Sequence, residues 1–195
     1  MGKLSCTVMI GFLALHLATI LLILATSTPE WLKAEYNSTH GKNSTDNITH
    51  PDITKGLWKI CYNDSCTKLN QTIQEDWFRS VQGLDIVGVG LAVLTLALSY
   101  VVLLIPQMKE SKTTALFSTA IQMISATSSL TALIIFGVRA KDTVIPEDIP
   151  SDYLVQYYWS FDVDIAGVVC MFISAVASIQ SAYYYYSRNR GYENI

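Results

Sequence analysis

Gly56-Leu57-Trp58-Lys59-Ile60-Cys61-Tyr62-Asn63-Asp64-Ser65-Cys66 is the stretch whose reading decides the fold. Its two cysteines flank Tyr62 to Ser65, and the central Asn63-Asp64 favours a tight turn. Cys61 and Cys66 are thus placed to face each other across a hairpin and oxidise. A bond closing so short a loop pins a turn more than it stabilises a whole domain. A metal or redox site is the competing reading, but the spacing differs from the usual two-residue gaps and no histidine partner follows.

A disulfide requires an oxidising compartment. The glycosylation acceptors around the pair point there independently: Asn37-Ser38-Thr39, Asn43-Ser44-Thr45, Asn47-Ile48-Thr49, Asn63-Asp64-Ser65 and Asn70-Gln71-Thr72. All of them fall in one segment of about fifty residues between two apolar runs. Residues 28–80 are therefore expected in the lumen or outside the cell.

With 51% hydrophobic and 15% charged residues and a mean hydropathy of +0.33, most of this chain of 195 residues belongs in lipid. The net charge of −3 gives no argument for nucleic acid. Cys6 and Cys170 are left as free thiols in or beside the bilayer. Palmitoylation of Cys6 is one reading and an inert buried thiol the plainer one. Cys at position 6, where a myristoylation signal wants Ser or Thr, excludes that modification.

Apolar runs at about 6–25, 82–105, 114–138 and 158–184 are each long enough to cross a bilayer as a helix. The first is too long for a signal-peptide core and lacks a clean small-x-small cleavage site, so it is read as a retained helix. Thr28-Pro29 ends it, and Trp31 lies where an interfacial aromatic belt would sit. Short strands are expected around the cysteines. The link 107–112 is short, as between antiparallel neighbours. Residues 139–157 form a second polar loop, and 187–195 a tail after the Tyr183–Tyr186 anchor. Four crossings put both termini on one side. Lys3, Lys109, Lys112, Arg188 and Arg190 then share the face opposite the sequons, so the positive-inside rule makes the termini cytoplasmic.

Small and weakly polar residues recur every three or four positions along these runs. They are His16, Thr19 and Thr26 in the first; Asp85, Gly88, Ala92, Thr95 and Ser99 in the second; Ser118, Gln122, Ser125, Ser129 and Ala132 in the third; Asp164, Gly167, Met171, Ser174, Ser178 and Ser181 in the fourth. Such stripes are how helices pack where lipid removes the usual hydrophobic drive. They predict a membrane all-α, left-handed four-helix bundle. Asp85, Asp162 and Asp164 fall in the outer part of their helices. An ion or proton path is one reading. The other, preferred because no acidic chain continues inward, has them capping helix ends or pairing with Arg79 or Arg139. His16 is expected as a packed, hydrogen-bonded residue rather than a relay or ligand.

Trp31, Gly56-Leu57-Trp58, Cys61 and Cys66 in the first outer loop of a four-pass chain resemble the signature of the claudin and peripheral myelin protein superfamily. That superfamily includes epithelial membrane proteins, the lens fibre membrane intrinsic protein and calcium-channel gamma subunits. Arg79 is similar to the arginine many claudins carry before the second helix. Tyr158-Trp159-Ser160-Phe161 resembles the stretch that opens the fourth helix in the epithelial membrane branch, from which Asp162 and Asp164 then depart. The resemblance implies a claudin-like single tetraspan domain: an extracellular antiparallel sheet on the bundle, the disulfide joining neighbouring strands, and Trp31 and Trp58 bracing the sheet.

Gly191-Tyr192-Glu193-Asn194-Ile195 fits Tyr-x-x-apolar, a motif that binds a clathrin adaptor in extended form through Tyr192 and Ile195. It is similar to the tails of lysosomal membrane glycoproteins and of a natural killer cell granule protein of the same superfamily. No nucleophile with a base, phosphate loop or metal cluster stands at the required spacings, so neither an enzyme nor a cofactor is expected. The expected function is a non-enzymatic plasma-membrane glycoprotein making lateral or cell-to-cell contacts with itself or with other tetraspan or adhesion proteins. An ion-channel auxiliary subunit or pore former is the transport alternative, and an endolysosomal or granule membrane protein the trafficking one.

Overall fold

Each apolar run forms one helix. α1 spans Gly2–Ser27, α2 Asp76–Leu104, α3 Lys112–Thr143 and α4 Trp159–Glu193. The computed structural model describes residues 2–36, 52–63, 65–69, 75–105, 112–143 and 153–193. Cys6–Ser27, Asp76–Leu104, Thr113–Ala140 and Trp159–Tyr184 are apolar and long enough to cross a membrane. At 35 residues α4 is about 52 Å long, against a hydrocarbon core of about 30 Å. It therefore projects well past the bilayer at the end where the Tyr183–Tyr186 run lies. α2 begins six positions before the expected span, so Arg79 belongs to its first turns rather than preceding it.

Packing follows the small-residue stripes. Asp85, Gly88, Ala92 and Thr95 on α2, and Gln122, Ser125, Ser129 and Ala132 on α3, are buried, as are Asp164, Gly167, Met171 and Ser174 on α4. On α1 Thr19 is buried as expected, but the rest of the buried face is Gly11, Leu15, Ala18, Leu22 and Ala25, one position off the half-buried His16 and Thr26. Leu, Ile and Val elsewhere are left to lipid. Serines join neighbouring helices through backbone carbonyls: Ser125 Oγ donates to Gly88 O at 2.7 Å, Ser128 to Leu84 O at 2.8 Å and Ser174 to Gly11 O at 2.9 Å. α1 packs most closely on α4 and α2 on α3, while the α1–α2 seam is the loosest of the principal contacts. His16 crosses that seam. The carbonyl of Phe12 can only accept, so Nδ1 donates to it at 2.8 Å, and Nε2 accepts from the Tyr100 hydroxyl at 2.5 Å.

Five strands form one antiparallel sheet at the opposite end from the α4 projection: β1 Leu32–Tyr36, β2 Ile53–Lys55, β3 Lys59–Tyr62, β4 Ser65–Lys68 and β5 Tyr153–Tyr157, in the order β4-β3-β2-β1-β5. β5 corrects the expectation of a plain polar loop between the third and fourth helices. Tyr153-Leu154-Val155-Gln156-Tyr157 is aromatic and β-prone, and it pairs along all of β1, from Leu32↔Tyr157 to Tyr36↔Tyr153.

Candidate functional site

Register assigns the two faces of the sheet. Leu32, Ala34, Ile53, Lys55, Ile60, Val155 and Tyr157 share the inner face, while Lys33, Glu35, Thr54, Lys59, Cys61, Cys66, Leu154 and Gln156 share the outer one. The inner face rests on an aromatic floor. Trp31 is fully buried, its ring centroid 4.9 Å from Phe136 and 5.9 Å from Phe161, and Phe78 packs beside Phe136. Trp31 Nε1 donates to Ala25 O at 2.7 Å, satisfying a carbonyl that the end of α1 leaves unpaired. Trp31 is thus a core residue, which corrects its expected place in an interfacial belt. Trp58 is half-buried at the margin of the same cluster.

The Gly56-Leu57 turn is the second fixed point. A Cβ on Gly56 would lie 2.5 Å from Thr28 O and 2.6 Å from Pro29 Cα, both backbone atoms, so only glycine lets this turn close over the end of α1. Leu57 is fully buried, and its carbonyl accepts from Gln82 Nε2 of α2 at 2.5 Å. The Thr28 and Ser160 hydroxyls meet at 2.8 Å, joining the end of α1 to the start of α4, and Tyr157 of β5 donates to Gly137 O of α3 at 2.5 Å. Gly56→Ala is expected to destabilise the fold by about 1–3 kcal/mol through this overpacking, read as a lowered melting temperature.

Cys61 and Cys66 are directly opposite on β3 and β4 and form a disulfide, with Cα atoms 4.0 Å apart. Asn63 opens the turn at φ 49°, the positive φ that a primed two-residue hairpin turn requires of its first central residue. Its Oδ1 accepts from Asp52 N at 2.9 Å, so this sequon asparagine also fastens the start of β2. In the chain-entropy view, losing so short a cross-link costs about 2 kcal/mol. Cys66→Ser is expected to lower the melting temperature to the value the unaltered protein shows in reductant, with no further effect of reductant on the variant.

Charge on the sheet is sorted by face. Outside, Lys33 Nζ lies 2.7 Å from Glu35 and 3.4 Å from Asp52. The hydrogen bond that Lys33 donates to Glu35, with Asp52 adding its attraction, lifts the lysine above its usual range. Inside, Lys55 sits 5.2 Å over the Phe78 ring, and burial pushes its pKa below the usual lysine value against the pull of Glu75. The unfolded chain holds the Lys55 proton more tightly, so this group makes stability rise as pH climbs from the folded pKa towards 10.5. In Lys55→Met that rise should shrink in alkaline thermal melts; an unchanged profile would show that Lys55 does not supply it.

Beneath the floor lie the buried carboxyls. Asp85 Oδ2 accepts from Thr26 Oγ1 at 2.6 Å, while Asp85 Oδ1 and both oxygens of Asp164 have no hydrogen-bond partner. Both carboxyls are fully buried. This arrangement replaces the expected pairing with Arg79 or Arg139, which are exposed on their helices. Asp162 is exposed in the first turn of α4, where it complements the positive end of the helix. Among the described residues no three His, Cys, Asp or Glu side chains converge as a metal centre.

A family model for the PMP-22/EMP/MP20/Claudin family matches residues 5–190. The chain belongs to the PMP-22/EMP/MP20/Claudin family. It is a four-pass membrane protein of that family, with the claudin-like combination of four apolar helices and a small antiparallel sheet. No individual curated protein matches it. The family's Trp, Gly-Leu-Trp and two-cysteine positions are here the aromatic floor, the turn over α1 and the outermost hairpin. Arg79 is exposed on α2, on the sheet side of the buried Gln82. The sequons at Asn37, Asn43, Asn47 and Asn70 lie outside the described residues, as does Ile195. Tyr192 is on the last helical turn of α4, so extended recognition by an adaptor requires that turn to unwind. The interhelical serines and β5 were not singled out as site residues. The alternation of Tyr153–Tyr157 is the signal that locates β5.

Proposed function

We propose that this family member is a non-enzymatic glycoprotein of the plasma membrane, with cytoplasmic termini, whose extracellular sheet makes lateral and cell-to-cell contacts. The clamping of the inner sheet face supports it most: Trp31, Leu57 and Gln82 fix the sheet rigidly to the bundle, while its outer face presents a mixed polar surface around Leu154, which is 57% exposed. A rigid platform of this kind binds without paying for loop ordering. The disulfide and the clustered sequons support the extracellular side. Glycans on those sequons hold opposing membranes apart and favour loose contact over a tight paracellular seal.

Leu154→Glu tests the reading, because it changes the outer face and nothing in the clamp. In co-cultured cells carrying two differently coloured copies, the unaltered protein should be enriched where two expressing cells meet. The variant should reach the surface equally and lose that enrichment. Equal enrichment of both would refute the proposed face.

The transport reading has one observation in its favour, the fully buried Asp164 with both oxygens unpartnered. If the carboxyls serve conduction, Asp85→Asn and Asp164→Asn should change currents at normal surface expression. Unchanged currents would remove that reading.

A further inference from the structure

We propose that the half of the bundle away from the sheet holds one uncharged membrane lipid whose only polar group is a hydroxyl, seated in the cavity between the four helices with that hydroxyl on the Gln122 amide. The cavity measures about 600 Å³ and draws its walls from all four helices, among them Leu15, Val102, Phe117, Gln122, Ala177 and Ser181. That volume is within the range of sites that take small organic ligands, about 300–1,000 Å³. From Thr113 to Gln122 along α3 it runs about 13 Å into the bilayer. Val8, Val101 and Phe117 line it and are also exposed on the lipid-facing surface, so it opens sideways into the membrane. The loose α1–α2 seam permits this opening, and the His16–Tyr100 hydrogen bond closes that seam farther from the α2–α3 end.

The chemistry of the occupant follows from what the walls leave unmet. Among the described residues no charged side chain lines the cavity, so its depth offers a charged headgroup no partner. The hydroxyls of Ser99, Ser174 and Ser181 are already committed to the carbonyls of Thr95, Gly11 and Ala177. Gln122 is different. It is 2% exposed and lines the deep end of the cavity, and its Oε1 is buried without a hydrogen-bond partner; turning the amide over brings that acceptor to the cavity. An unmet buried acceptor costs about 1–3 kcal/mol, which an occupant with a matching donor recovers. A hydroxyl both donates and accepts, so it satisfies the amide in either orientation of its oxygen and nitrogen. The acyl chain of a phospholipid would fill the volume but leave Gln122 unpaired. A sterol and a diacylglycerol share the required chemistry, an apolar body with an uncharged hydroxyl.

Photoreactive forms of a sterol, a diacylglycerol and a phosphatidylcholine, each offered to the full chain purified in detergent, test the proposal, with labelled peptides located by mass spectrometry. The sterol or the diacylglycerol should label cavity-lining peptides, and which of them does so names the source. Gln122→Leu should lower that labelling about tenfold at limiting probe, equivalent to about 1.4 kcal/mol. Ser178→Phe, which fills the cavity, should abolish it while the protein stays monodisperse with an unaltered melting temperature. If Ser178→Phe does not fold, Gln122→Leu decides alone, since it removes an unpaired buried group. Labelling by phosphatidylcholine that is equally strong and indifferent to Gln122→Leu overturns the proposal, as does the absence of cavity labelling by every probe.

Discussion

Trp31→Ala is expected to destabilise the protein by about 3–5 kcal/mol, the range for truncating a fully buried large aromatic. The loss has several sources. The ring is in edge contact with Phe136 and Phe161, so its removal opens a hole at the centre of the floor under the sheet. Its indole also donates to Ala25 O at 2.7 Å, and truncation leaves that carbonyl with only the longer contact from the Thr28 hydroxyl at 3.1 Å. Since a whole domain is stable by only about 5–15 kcal/mol, most of the variant should fail to mature. The measurement is the melting temperature of detergent-purified protein together with the fraction reaching the cell surface. Trp31→Phe should recover part of both, because it restores ring contacts but not the hydrogen bond. An unstable Trp31→Phe together with a stable Trp31→Ala would contradict the assignment of Trp31 to the core.

Gly88→Leu should be nearly as damaging, for a different reason. A Cβ at Gly88 would run into the Ser129 hydroxyl and lie 3.3 Å from Ser125 O, so a larger side chain must push α2 and α3 apart. Overpacking of this kind costs about 1–3 kcal/mol. Separation also breaks the Ser125–Gly88 and Ser128–Leu84 hydrogen bonds, at about 0.6 kcal/mol each in a membrane bundle. Gly90, two residues on and about 200° round the helix, meets nothing within 4 Å. Gly90→Leu therefore serves as the internal control and should melt like the unaltered protein. If the two variants melt alike, close approach at Gly88 is not what holds α2 against α3.

The stripe from Asp85 to Ser99 and its counterparts on α3 and α4 were readable in sequence because a membrane leaves small polar residues only one comfortable place, the bundle interior. The same rule placed Thr19 rightly on α1 but missed most of that helix's packing face. There Gly11, Leu15, Ala18, Leu22 and Ala25 do the packing, and a stripe of Leu and Ala is indistinguishable from lipid-facing residues by polarity alone. The Cys61–Cys66 hairpin was legible because turn chemistry and register are local. β5 was not read, since its hydrogen bonds come from β1, more than a hundred residues away, and the alternation of Tyr153, Val155 and Tyr157 covers only five residues between Pro150 and a helix. Trp31 was misread for a related reason. Its position in the chain is interfacial, but the sheet folds over it, and only tertiary structure shows which tryptophan is roofed. The carboxyls were located by depth but not by partner, because Thr26 of α1 reaches Asp85 across a seam the sequence does not reveal.

The claim at the centre of this account is that the clamped sheet presents its outer face to other membrane proteins. Its most direct test is the two-colour co-culture comparison of the unaltered protein with Leu154→Glu, scored as enrichment at contacts between two expressing cells relative to contacts with non-expressing ones. The account predicts enrichment that the single substitution abolishes at equal surface expression; enrichment that survives it, or none in the unaltered protein, would contradict the account.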